Sequence, residues 1–263
     1  MSRPCHVLRV FTRGSDGGNH LGVINDRTGL DTDVMQAIAA DLGFSETVFV
    51  DWRPPEPPFV RIFTPMMELQ FAGHPLVGTA WVMNVLGPGL HESLRCGTGD
   101  VGVRMDGDVV WIEAALDQPV RDAAHMSVPS RAGLPPPVRS WLVDMPKEYL
   151  VLQYTDAATI ATVAPAWEPL SEVFGTLVFA RHGDAVRARF FAPDAGVPED
   201  PATGSAAVAL AAVLVDSGES AGKVSIDQGE EIGYPSRIEL SWTAETASIG
   251  GTVVRDEVRI LDV

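Results

Sequence analysis

Two segments of this chain are too apolar to lie on a protein surface. AGHPLVGTAWVM (72–83) and TGSAAVALAAVL (203–214) each open on a short polar group and then run apolar for two turns or more of a helix. A helix that is apolar on every side has to be enclosed by the rest of the chain. Each is therefore expected as a central helix wrapped by its own strands. The polar openings also correspond, Gly73-His74-Pro75 in one and Thr203-Gly204-Ser205 in the other.

The likeness extends upstream. Arg61-Ile62-Phe63-Thr64-Pro65 matches Arg189-Phe190-Phe191-Ala192-Pro193 at an offset of 128 residues, Thr47-Val48-Phe49-Val50 falls on Thr176-Leu177-Val178-Phe179 at 129, and Gly73 falls on Gly204 at 131. Strand, Phe-x-Pro strand end, glycine and helix in one order in both halves constitute an internal repeat. The extra residues of the second copy fall in GVPEDPATG, and insertions in one copy usually map to loops on a functional face. Each half reads as α/β. An opening strand (VLRVFT; YLVLQYT) leads to a helix (DTDVMQAIAADLG; a weaker APAWEPLSEVF), then to a strand, the Phe-x-Pro strand, the apolar helix and short alternating strands. The prolines of SVPSRAGLPPPV (127–138) can continue neither a helix nor a sheet ladder and are expected to mark the join. The expected division is residues 1–118 and 119–253.

Composition excludes several function classes. A formal charge of −16 and the lack of a basic stripe argue against nucleic acid as a partner. No apolar run approaches the roughly 18 residues of a membrane span, and MSRPCHVLRVF has no signal-peptide pattern, so a cytoplasmic location is expected. Cys5 and Cys96 are too few and too far apart for a disulfide framework, and no metal-ligand spacing joins the six histidines. Neither a metal nor a cofactor is expected.

The chemistry should lie where the two buried helices begin. The first N–H groups of a helix have no partner within it and carry the positive end of its dipole, which favours an anion. If the halves pack with pseudo-twofold symmetry and these ends face one cleft, it would hold Gly73, His74, Gly204, Ser205 and nearby acids, and would suit a small carboxylate. Asp200 and Thr203 precede the second helix, where simple capping is the plainer alternative. Glu199 is expected in solvent, and His20 in a turn. Glu46, at a strand start, falls on Gly175 in the repeat. An acid in one copy only is what an asymmetric catalytic site would show; an exposed strand-end carboxylate is the alternative.

Five ordered motifs, FTxxxxxGNxLxV, SETVFV, RIFTPxxELxFAGHP, FFAPxxGxPEDPATGSA and QGxxxGxPS, span Phe11 to Ser236 and resemble the PhzF family of phenazine-biosynthesis-like proteins. The resemblance implies a diaminopimelate-epimerase-like fold of two similar α/β domains, each a sheet or barrel around a central helix, with the tail 254–263 returning to the first domain. It implies Glu46 as general acid/base, with His74, Asp200 and Ser205 positioning the substrate. Asn19, Gly73, Thr203 and Gly204 belong to the same motifs and are expected to bind it. The implied reaction is cofactor-free isomerisation of a cyclic hydroxy- or amino-carboxylic acid, by a homodimer. Racemases of this fold carry a cysteine in each half, at the start of each central helix, and neither Cys5 nor Cys96 lies there. His20, Tyr234 and Val208 depart from the family pattern, which bears on the substrate more than on the reaction. A non-cysteine epimerase using Asp200 and Glu46, and a carboxylate-binding protein without turnover, remain as alternatives. Trp52, Phe59 and Trp141 are candidate interface residues.

Overall fold

The computed structural model describes residues 2–51, 57–87 and 91–262. Trp52 lies outside them. The chain divides into two compact units, one of residues 1–113 with 250–263 and the other of residues 114–249.

In the first unit the order is β1 (Ser2–Thr12), β2 (Asn19–Asn25), α1 (Thr32–Leu42), β3 (Glu46–Asp51), β4 (Phe59–Phe63), β5 (Glu68–Leu69), α2 (Gly73–Trp81), β6 (Ser93–Cys96), β7 (Gly99–Asp106) and β8 (Val109–Ala115). The second unit runs β9 (Val120–Asp122), α3 (Val128–Arg131), β10 (Arg139–Val143), β11 (Tyr149–Tyr154), α4 (Ala157–Thr162), α5 (Trp167–Leu170), β12 (Gly175–His182), β13 (Ala185–Ala192), β14 (Val197–Asp200), α6 (Gly204–Asp216), β15 (Gly222–Gln228) and β16 (Ser236–Trp242). Strand β17 (Thr246–Asp262) ends the described chain; from Gly250 it belongs to the first unit, where it pairs antiparallel with β1.

Strand pairing repeats from unit to unit. An antiparallel pair (β1–β2; β10–β11) is followed by a parallel pair (β2–β3; β11–β12), and then by an antiparallel one (β3–β4; β12–β13). The Phe-x-Pro strand next pairs antiparallel with a short strand (β4–β5; β13–β14) and parallel with the strand that follows the central helix (β4–β6; β13–β15). The counterpart of YLVLQYT is thus β2, not VLRVFT. The sequence reading matched the wrong strand because β1 and β2 form a hairpin, either arm of which has strand character.

Both apolar helices lie at the centre of their units, as their composition requires. Helix α2 is buried from Gly73 to Ala80 against β1, β2 and β3, and α6 from Gly204 to Leu214 against β9, β10, β11 and β16. On the opposite face of the sheet α1 seats Met35 and Ala39 on Phe49 and Phe63. In the second unit that place is shared by short helices, whose Ile160 and Leu170 join Leu150, Val178 and Phe191. The expected helix over APAWEPLSEVF is a single turn, Trp167–Leu170, flanked by Pro165 and containing Pro169. The longer segment before it is helical instead, because Asp156 accepts the Thr159 N–H at 2.8 Å and caps α4. The proline-rich join also opens as a helical turn, with Pro129 in its first positions, where no N–H is needed.

Among the described residues no helix is long and apolar enough to cross a membrane. Phe59 is half exposed, whereas Trp141 is buried and unavailable to a partner.

Gly78 is where α2 touches the sheet. A Cβ there would come 2.4 Å from Leu21 Cδ2 and 2.9 Å from Val10 Cγ2, both on fully buried side chains. Overpacking typically costs about 1–3 kcal/mol, against roughly 1 kcal/mol gained in helix propensity. Gly78→Ala is therefore expected to lower the urea unfolding midpoint despite the better helix former. An unchanged or raised midpoint would show that α2 is not pressed against β1 and β2.

Candidate active site

In the first unit three side chains converge where α2 begins. Glu46 is the first residue of β3 and pairs with Leu21 of β2, Asn19 is the first residue of β2, and His74 is the second residue of α2. Glu46 Oε2 lies 3.3 Å from His74 Nε2, and the Asn19 amide lies 3.4 Å from His74 Nδ1. Asn19 and His74 are buried, and the Glu46 side chain is 12% exposed. The Glu46 and His74 atoms are within ion-pair reach but not aligned as a hydrogen bond. Such loose geometry is common in sites without substrate.

Burial holds the His74 imidazole down to about pKa 3; contact with the His20 backbone partly offsets this and the His20 charge adds to it. The ring is neutral near pH 7, so its contact with Glu46 is not an imidazolium–carboxylate pair. The ring also hydrogen-bonds the His20 backbone, and its Nε2 faces Glu46 without a hydrogen bond. His20 is a strand residue rather than a turn residue. Strand alternation turns it away from Asn19, and it stacks on Phe44 with centroids 5.8 Å apart.

The second unit builds a different set at the equivalent helix. Asp200 ends β14 and is buried, and Thr203 Oγ1 donates to its Oδ2 at 2.5 Å. Gln228 Nε2 donates to the Asp200 carbonyl at 2.7 Å and reaches Thr203 Oγ1 at 3.1 Å, tying the loop to the end of β15. Thr203 stands at the N-cap position of α6 but its side chain does not cap the helix, nor does a side chain cap α2 after Ala72. Both helices thus begin with N–H groups that no capping side chain covers. The simple-capping alternative for Thr203 is set aside, since its hydroxyl is engaged by Asp200.

Glu199 is not in solvent. It is nearly buried and paired with Arg189 by two contacts of 2.8 Å, and Arg189 also donates to the carbonyls of Ile160 and Val163. Alternation along β14 separates the two acids: Glu199 is neutralised by Arg189, and Asp200 points the other way, to Thr203.

Ser205, second residue of α6, shares a 2.9 Å hydrogen bond with the Tyr149 hydroxyl. Tyr149 went unnoticed in the sequence because YLVLQYT reads only as a strand. Gln228 was visible in QGxxxGxPS, yet nothing in the motif says which loop it holds. Gly175 starts β12 as Glu46 starts β3, and it pairs with Tyr149 as Glu46 pairs with Leu21. A Cβ on Gly175 would come 2.3 Å from Cζ of Phe190. An aromatic ring thus fills in the second unit the space that an acid uses in the first.

The Cys5 thiol is buried, which pushes it up to about 12 and leaves it an inert core group. Among the described residues no group of three or more His, Cys, Asp or Glu is placed to hold a metal ion.

The depressed His74 pKa carries a stability prediction. Between about pH 6.5 and 3 the unfolded chain binds a proton at this residue and the folded chain does not, so its contribution is complete above 6.5 and is lost as pH falls. The stability of the wild type relative to His74→Gln should therefore fall as pH drops through that window, by at most about 1.4 kcal/mol per unit. Urea denaturation at several pH values measures it. Parallel curves for the two proteins would place a charged or solvated imidazole at position 74.

Comparison with known proteins follows the same lines. The profile of the PhzC-PhzF family, described as phenazine biosynthesis-like protein, matches residues 8–254. An uncharacterized isomerase of Mesorhizobium japonicum is 35% identical, with 94% of each chain covered. A trans-2,3-dihydro-3-hydroxyanthranilate isomerase of Pseudomonas fluorescens is also 35% identical, over 88% of this chain and 87% of that one. The crystal structure of a PhzF-family protein of Enterococcus faecalis superposes with a TM-score of 0.82 over the whole of both chains, at 23% identity, and so shares the fold. With its motifs, its repeated α/β units and a family match over nearly its whole length, the chain belongs to the PhzF family of phenazine biosynthesis-like proteins.

Proposed function

We propose that this protein is an isomerase that moves a proton within a small cyclic hydroxy- or amino-carboxylic acid, using side chains alone. The observation that carries the proposal is Glu46, a partly exposed carboxyl 3.3 Å from a buried neutral histidine, at the start of a helix whose first N–H groups no side chain caps. Glu46 removes a proton from one carbon of the substrate and returns it to another, while the double bond between them shifts. No electrons leave the substrate. His74, buried and neutral 3.3 Å away, holds the Glu46 carboxyl in place while it carries the proton between the two steps. Asp200 accepts from the substrate's amino or hydroxyl group, and Ser205 with the first N–H groups of α6 receives its carboxylate. The names of similar proteins, isomerases of trans-2,3-dihydro-3-hydroxyanthranilate among them, support this class of substrate.

Positioned proton transfer contributes roughly 10²–10⁴-fold to rate. Glu46→Gln keeps the shape and removes the base, so kcat with trans-2,3-dihydro-3-hydroxyanthranilate should fall by at least about a hundredfold, with binding of 3-hydroxyanthranilate retained. Undiminished turnover in the variant would remove Glu46 from the mechanism, and binding without turnover by the wild type would make the protein a binder. Deuterium from solvent entering at an inverted stereocentre would instead indicate an epimerase.

Asp200 gives a second test. A ligand with a hydroxyl or amino donor should outbind benzoate by roughly the 1.5–3 kcal/mol of a charge-assisted hydrogen bond, and Asp200→Asn should erase most of that preference. Calorimetry with benzoate and 3-hydroxyanthranilate measures both. A preference that survives the substitution means that Asp200 does not touch the ligand.

A further inference from the structure

Four places in the repeat form matched pairs: Leu21 with Tyr149, Glu46 with Gly175, Ile62 with Phe190 and His74 with Ser205, by strand register and helix position. In the first unit the residue facing the helix start is Glu46, on β3. In the second unit that position is a glycine with Phe190 against it, and the group facing the helix start comes from the neighbouring strand, as the Tyr149 hydroxyl.

We infer that Tyr149 is the positioning residue of Ser205: its hydroxyl, 2.9 Å away, donates to Ser205 Oγ and so aims the serine proton at the substrate carboxylate. The inference rests on the function proposed above. The direction of the bond follows from acidity. A phenol, with a pKa of about 10, is a far better donor than an aliphatic alcohol, whose oxygen is in turn the better acceptor. With its oxygen engaged by the phenol, Ser205 holds its own proton for another acceptor. Both side chains are nearly buried, so water competes little for this arrangement.

The phenol is itself held in place. Tyr149 stacks on Phe174 at 6.0 Å and tilts against Phe190 at 5.2 Å, with Lys147 Nζ lying 4.4 Å from the centroid of the Phe174 ring. Gly175 allows this cluster, because any side chain there would collide with Phe190. An aromatic side chain with two torsions packed against two further rings is a stiff support for a hydroxyl. Ser205, free to turn about χ1, gains from that support what it lacks.

Tyr149→Phe deletes the hydroxyl and keeps the ring packing. With trans-2,3-dihydro-3-hydroxyanthranilate it should raise KM roughly five- to tenfold, the worth of one neutral hydrogen bond, and leave kcat nearly unchanged, because the carboxylate is held alike before and during reaction. In a Ser205→Ala background the same change should do nothing further. In a high-resolution crystal structure of Tyr149→Phe, Ser205 should leave its single rotamer. An equal effect of Tyr149→Phe with and without the Ser205 hydroxyl, or an unchanged Ser205 rotamer in the variant, overturns the inference. If the wild type fails to turn over the substrate, the proposed isomerisation falls, and the Ser205 rotamer alone then decides the role of Tyr149.

Discussion

The constraint on which this structure depends is the burial of α2 and α6. Each buried valine or leucine on them, Val77 and Leu76 or Val208 and Leu210, contributes about 1.5–3 kcal/mol by leaving water. A missing N-cap side chain costs about 1 kcal/mol. Burial wins by a wide margin, so the fold tolerates two helices whose first N–H groups no side chain covers. The strands around each helix enclose it, and Glu46 and Tyr149 stand at the strand ends nearest the helix starts.

Duplication supplied two such helix starts, and divergence made them unlike. One holds a histidine with a carboxyl against it, the other a serine with a phenol against it. The switch turns on volume as much as on polarity. Ile62 stands in the first unit where the second has the larger Phe190, whose ring leaves no space for a side chain at 175. A carboxyl could not have been kept in both copies without emptying the aromatic cluster that supports Tyr149. The buried Arg189–Glu199 pair serves the same specialisation, since it neutralises one of two adjacent acids and leaves Asp200 for the loop before α6.

Much of this was legible in the sequence, for particular reasons. Helices apolar on all sides announce enclosure whatever surrounds them, and the Phe-x-Pro strand ends kept the repeat in step across about 130 residues. Glu46 stood out as an acid matched by glycine. Where local patterns were ambiguous the sequence misled: two strands of a hairpin look alike, so VLRVFT was matched with the wrong partner, and PEDP does not show which acid an arginine ten residues upstream will neutralise.

The sequence by itself determined that two α/β units enclose two apolar helices and that His74, Asp200 and Ser205 stand at or just before their starts, because periodicity and order along the chain are local properties; Glu46 it marked only as a strand-start acid matched by glycine. Tertiary structure decided what each of those groups touches. That His74 is buried and neutral, that Thr203 binds Asp200 instead of capping its helix, and that Ser205 leans on Tyr149 are consequences of strand register and of space. They bring Glu46 to His74 and Tyr149 to Ser205, 28 and 56 positions apart, at distances that no spacing in the chain encodes.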